Sequence, residues 1–266
     1  MSKKLIKWDL ISLFNIRMII CTICMSILVS SYLGIKIKLK TSNLLDYLTV
    51  LFAGPSINEN VLLNFLVWFF PLIIFTYWIF NFLYCEWDIH YKYTILRCNS
   101  VSKWILSKVC TFVIYSFLYL SIFYIVSFII GIILGYNFSA DSNLKYFYMN
   151  ASIDTNMYII HLLNMLMILL SLILIALISF FFSYILKKNI YGYLVVCLIY
   201  AEPYFLKDSS NKIRLLFPAE NSIFARHSVL DYYLSKDLWT GYLYILLSML
   251  IIVYILNVFM KNFDLD

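Results

Sequence analysis

The chain has 266 residues, of which 64% are apolar and only 13% are charged, and its mean hydropathy is +0.88. This composition excludes a soluble globular protein, because too few charged side chains are present to cover a water-facing surface. The formal net charge is +6, but in a membrane protein the position of the positive charges carries more information than their sum. We therefore expect a multi-span helical membrane protein.

The N-terminal segment, residues 3–17, predicts an amphipathic helix that lies on the membrane surface. Its basic sector (Lys3, Lys4 and Lys7) stands roughly opposite an apolar sector, which Asp9 interrupts. A helix with this pattern suits the interface of an anionic inner leaflet. The alternative is a positively charged flank that only orients the first span.

Six apolar runs predict six transmembrane helices, since about 20 residues of helix cross a bilayer at about 1.5 Å per residue. The runs are residues 18–35, 61–84, 109–134, 157–186, 190–206 and 238–260. Pro71 predicts a kink in the second run. The tight turn between the fourth and fifth runs predicts an antiparallel hairpin.

The segments between the runs complete the predicted topology. We expect external loops at residues 36–60 and 136–156, and one or two short helices within residues 207–237. Six spans place both termini on one side, with eleven Lys and Arg residues there and nine on the other. The eleven stand close to span ends, so we predict that both termini are cytoplasmic. Without an internal repeat or a linker, residues 1–266 are expected to form one transmembrane domain.

The sequence lacks the common motifs of catalytic and nucleotide-binding sites. It has no phosphate-binding loop of the G-x-x-x-x-G-K-[ST] type and no H-E-x-x-H, G-x-S-x-G or G-x-G-x-x-G motif. His90, His161 and His227 fall in separate regions, which argues against a histidine metal site. The six cysteines lie in predicted spans or on the inner side, so we expect neither disulfides nor a metal site. The chain itself is therefore predicted not to be an enzyme.

Three polar residues at the outer ends of spans are candidates for a translocation path. His161 and Asn164 belong to the fourth run, and Glu202 precedes Pro203 in the fifth. Polar groups inside a membrane are costly and tend to be functional. The alternatives are an interfacial location for the first two and a water-facing helix cap for Glu202.

The longest polar segment on the predicted inner side is residues 85–108. In helical form, Ile89, Tyr93 and Leu96 share one face. The segment is too short and too charged to span a bilayer, and its pattern predicts a cytoplasmic helix that contacts a soluble partner. The alternative is an ordinary inner loop, which also needs charged residues.

This segment resembles the coupling-helix region of type-2 ABC transporter permeases. The residues that carry the resemblance are Glu86, Ile95, Leu96, Ser100, Val101, Ser102, Lys103 and Lys108. The N-terminal helix, the six spans, the short fifth span and external re-entrant helices before the last span are similar in layout. The sequence departs from the family at His90, Tyr91 and Lys92, where such permeases often have a small residue.

The resemblance implies an all-α transmembrane subunit of a bacterial plasma-membrane exporter. Its partners would be a cytoplasmic ABC-type ATPase dimer, a second or related permease copy and membrane lipids, with no nucleic acid. ATP and Mg²⁺ would bind the ATPase, and this chain would need no cofactor. The residues expected to couple to the ATPase are Glu86, Ile89, Tyr93, Leu96, Arg97, Ser100, Lys103 and Lys108. The cargo by analogy is a bulky amphipathic molecule, such as an antimicrobial peptide or antibiotic, for export or self-immunity.

Two other classes of function compete with this interpretation. An intramembrane enzyme or a secondary transporter needs convergent ionisable residues within the spans, and the sequence has almost none. A membrane scaffold or sensor would use the same central segment to bind a cytoplasmic partner without transport. The sequence leaves this alternative open.

Overall fold

The computed structural model describes residues 3–55, 62–89, 100–138, 157–186, 188–205, 216–228, 230 and 237–263. The regular structure in these ranges is helical. The helices are α1 (Lys3–Leu13), α2 (Ile16–Lys38), α3 (Leu44–Ala53), α4 (Leu62–Ile89), α5 (Val101–Ile133), α6 (Met157–Ile185), α7 (Asn189–Phe205), α8 (Pro218–Ser222) and α9 (Leu238–Phe263), with a 3₁₀ turn at Phe224–Arg226.

Five helices are long and apolar enough to cross a membrane: α2, α4, α5, α6 and α9. This confirms the prediction of an all-α membrane protein with several spans. The predicted fifth span is α7, which has 17 residues and is shorter than the roughly 20 residues that a perpendicular span needs. A sixth crossing stays a prediction.

Helix α6 is at the centre of the bundle. In its most apolar window 61% of the residues are buried, against 17% in that of α9. Every side chain in residues 171–180 is buried, so the helix is enclosed all round rather than on one face. It packs against α3, α4, α5, α7 and α9, and all of these except α3 carry exposed apolar side chains.

Helix α3 lies where we expected an external loop, so that expectation is wrong for residues 44–53. The Asn43 side chain accepts a hydrogen bond from the Leu45 amide and begins the helix. Gly54 ends it with a φ of 81°, a conformation that favours glycine. The helix is too short to span a membrane, and it packs between α5 and α6.

Two helix boundaries also differ from the sequence prediction. The third span was expected to begin at residue 109, whereas α5 begins at Val101 and has 33 residues. Helix α4 continues to Ile89, beyond the predicted end at residue 84. The prediction of short helices in residues 207–237 is confirmed in the described part by α8 and the 3₁₀ turn.

Candidate functional site

The C-terminal end of α4 and the N-terminal end of α5 flank the predicted partner-binding segment. Glu86 and Ile89 belong to the last turns of α4. Ser100 is the N-cap of α5, and its hydroxyl accepts a hydrogen bond from the Lys103 amide at 3.4 Å. The Lys103 side chain is exposed in the first turn. The other predicted coupling residues, Tyr93, Leu96 and Arg97, lie outside the described residues.

Lys108 lies inside the protein rather than on a surface that a partner could reach. Its Nζ donates a hydrogen bond to Asp9 Oδ2 at 2.8 Å, and its side chain is fully buried. The Thr111 hydroxyl donates to the same carboxylate oxygen at 3.4 Å. The rings of Phe82 and Trp104 lie 5.1 and 5.7 Å from Nζ, close enough for cation–π attraction. Lys108 therefore joins α1 to α5 and α4.

Burial decides the electrostatics of this ion pair. It raises the pKa of the Asp9 carboxyl above its ordinary value, and the charge of Lys108 and the hydrogen bonds from Lys108 and Thr111 oppose this only in part. A buried pair of this kind gains little net free energy of folding, but removing one partner leaves an uncompensated charge. Its main effect is to fix the position of α1 against α5.

His161 and Asn164 are brought together by α3, which the sequence analysis missed. The His161 Nδ1 lies 3.1 Å from the Thr49 hydroxyl, and Asn164 Nδ2 donates to the Thr49 carbonyl at 3.0 Å. Both side chains are buried. These bonds attach α3 to α6, while His161 Nε2 and Asn164 Oδ1 are buried without a hydrogen bond among the described residues. A role in a translocation path stays a prediction.

Glu202 lies in the last turn of α7. It is only 7% exposed, so it is not the water-facing cap that the sequence left open. The carbonyl of the next residue, Pro203, belongs to a polar cluster centred on Arg226, which forms a salt bridge with Glu220. Arg226 also donates to the carbonyls of Pro55 and Pro203, each at 3.3 Å. The guanidinium therefore connects the segment at residues 216–228 to the ends of α3 and α7.

The sequence analysis did not single out Arg226 or Glu220. The available signal was an acidic and a basic residue close together in an amphipathic segment. The described residues contain no group of three or more His, Cys, Asp or Glu side chains that could hold a metal ion.

Comparisons with protein-family models, curated proteins and solved structures give no match to this chain.

Proposed function

We propose that this chain is the transmembrane permease subunit of an ATP-driven exporter that works with a separate ATPase. The cargo would be a bulky amphipathic molecule such as an antimicrobial peptide or antibiotic. The main support is that α4 and α5 extend beyond the predicted spans and lead directly into and out of residues 90–99. A cytoplasmic partner that holds this segment would therefore hold the ends of two long helices.

Helix length supports this arrangement. Helix α5 has 33 residues, which corresponds to about 50 Å at the α-helical rise. The hydrocarbon core of a bilayer is about 30 Å thick. One end or both ends of α5 therefore extend out of the hydrocarbon, and the first turns, from Val101 to Lys108, are the more polar end.

The buried ion pair adds α1 to the same unit. Because Lys108 on α5 binds Asp9 on α1, displacement of the start of α5 would also move the N-terminal helix. Closure of an ATP-bound ATPase dimer would thus move α1, α4 and α5 together, as packed elements shift in discrete steps. The energy would come from the higher affinity of the partner for one arrangement of these helices.

The test is co-purification of the tagged chain from its native host in a mild detergent. The wild type is compared with a double variant, Glu86→Lys plus Leu96→Asp, which reverses one charge and removes one apolar contact of the predicted surface. The matched control is Asp141→Lys plus Leu144→Asp, which makes equivalent changes in the predicted outer loop. We expect an ABC-type ATPase with the wild type and the control, and its loss from the Glu86 and Leu96 variant.

The other outcomes separate the remaining hypotheses. An ATPase that remains bound to both variants would mean that the contact surface is elsewhere. Absence of an ATPase from the wild type would overturn the exporter proposal. A cytoplasmic protein of another class, lost from the Glu86 and Leu96 variant alone, would favour the scaffold function.

A further inference from the structure

An open apolar groove of about 340 Å³ runs between α2 and α4. Its walls include Leu28 and Tyr32 on α2, and Leu66, Phe70 and Ile73 on α4. Every lining side chain is aliphatic or aromatic, and several are strongly exposed, such as Leu28 at 67%. Because both helices are candidate membrane spans, this groove would face acyl chains rather than water.

The groove has the depth of one leaflet. Along α4 the lining residues run from Leu63 to Ile73, a rise of about 15 Å at about 1.5 Å per residue. On α2 they run only from Leu28 to Tyr32, and Lys36 lies about 12 Å along the helix from Leu28. Half of a hydrocarbon core of about 30 Å is about 15 Å. The groove therefore matches the length of one lipid tail and does not cross the whole bilayer.

A cation stands at one end of the groove. Lys36 follows Tyr32 by four residues and so lies one turn further along the same face of α2. Its Nζ donates to Asn64 Oδ1 at 2.8 Å, and Asn64 is in the first turn of α4, next to the groove residue Leu63. Lys36 is exposed, and an ammonium has three donors, so it can also bind an anion at the membrane surface.

We propose that this groove binds an anionic phospholipid, with one acyl chain between α2 and α4 and the phosphate at Lys36. The apolar wall of one-leaflet length selects a tail, and the cation at its end selects a negative headgroup. This site depends on the chain lying in a membrane, and it holds whether or not the chain exports a cargo.

The test uses purified full-length protein in a mild detergent. The protein is titrated with phosphatidylglycerol and, separately, with phosphatidylcholine that carries the same chains, and bound lipid is counted by native mass spectrometry. We expect one phosphatidylglycerol to bind at least about tenfold more tightly than phosphatidylcholine. Lys36→Glu should remove this preference, and Leu28→Trp, which fills the groove, should weaken the binding of both lipids.

Two control variants match these changes. Lys38→Glu also reverses a charge and removes one lysine hydrogen bond, here to the Leu134 carbonyl, at the same membrane surface. Leu250→Trp places the same bulky side chain at a residue that is also 67% exposed but lies on α9. Both controls should bind phosphatidylglycerol as the wild type does. All variants are first checked for a single symmetrical peak in size-exclusion chromatography.

Four results would overturn the proposal. The first is that Lys36→Glu and Lys38→Glu weaken phosphatidylglycerol binding equally, which would indicate a general attraction of the lipid to the positively charged surface. The second is equal behaviour of the two tryptophan variants, which would place the tail outside the groove. The third is full competition by glycerol phosphate, which has no tail. The fourth is a change in the number of protein copies per complex on Leu28→Trp, which would make a second copy of the chain the occupant.

Discussion

Lys108 and Asp9 form a buried ion pair across 2.8 Å although they are 99 residues apart in the chain. The pair explains two features of the sequence that otherwise conflict with the pattern around them. One is an acidic residue in the apolar sector of the N-terminal helix, and the other is a lysine next to a long apolar run. Each charge is tolerated because the other is present.

Replacing Lys108 by methionine should destabilise the protein by about 3 kcal/mol at neutral pH, because the Asp9 carboxylate would stay buried without its cation. The additional change Asp9→Asn should restore most of this loss, since a neutral pair has no uncompensated charge. Thermal unfolding in detergent, followed by size-exclusion chromatography, measures both effects. A single variant as stable as the wild type would show that Asp9 is hydrated and not buried.

The Lys108→Met variant should also acquire a distinct pH dependence. Burial already raises the pKa of Asp9, and loss of the lysine would raise it further. A carboxyl whose pKa is higher in the folded than in the unfolded state stabilises the fold most when the pH is below its unfolded pKa, ordinarily 3.8. This contribution is lost as the pH rises through the folded-state pKa. Lys108→Met should therefore become more stable, relative to the double variant, as the pH falls from 7 towards 5. A stability difference between Lys108→Met and the double variant that stays the same from pH 7 to pH 5 would contradict the burial of the Asp9 carboxyl.

Even a conservative substitution of Arg226 should lower the stability of the protein. Arg226→Met removes the cation that faces buried Glu220 and should cost about 3 kcal/mol. Arg226→Lys keeps the charge, but one ammonium cannot reproduce the fork that reaches Glu220 and the carbonyls of Pro55 and Pro203, so we expect a loss of about 1–2 kcal/mol. The control is Arg17→Lys at an exposed position, which should change stability by less than about 0.5 kcal/mol. Equal losses of stability in Arg226→Lys and Arg17→Lys would mean that the several hydrogen bonds of the Arg226 guanidinium do not stabilise the fold.

Ser100 should stabilise the start of α5 through its cap. Ser100→Ala removes the acceptor for the Lys103 amide and should cost about 1 kcal/mol. The control Ser102→Ala lies inside the helix with an exposed side chain and should be neutral, since alanine favours helix. Hydrogen exchange of the amides at residues 101–104 measures the difference. Faster exchange in both variants would argue against the cap.

Gly192 should be required for close packing of α6 and α7. A methyl group there would overlap the Ser179 backbone carbonyl and the Ser183 hydroxyl, whereas at Gly34 it would meet the end of the flexible Leu134 side chain. Gly192→Ala should therefore cost about 1–3 kcal/mol, although alanine favours helix by about 1 kcal/mol. Gly34→Ala should cost less, because a side chain can move more easily than a backbone. Thermal unfolding of the two variants checks this order, and the reverse order would contradict the observed hairpin packing.

The sequence by itself determined the class of the protein and most of its long helices. An apolar run of about 20 residues is a local property, and in a membrane such a run must satisfy its backbone hydrogen bonds internally as a helix. The runs at residues 157–186 and 238–260 therefore begin at the same residues as α6 and α9 and end within three residues of the helix ends. The same local rule did not mark the first eight residues of α5, because Lys103 and Lys108 lower the hydropathy there.

Only the tertiary structure decided which polar residues meet. Asp9 pairs with Lys108, Thr49 meets His161 from 112 residues away, and Arg226 reaches Pro55 from 171 residues away. No local periodicity encodes these contacts, because each depends on how separate helices pack around α6. Helix α3 was missed for the same reason: its ten residues are too few for a span, and it is recognisable as a buried element only once α5 and α6 enclose it.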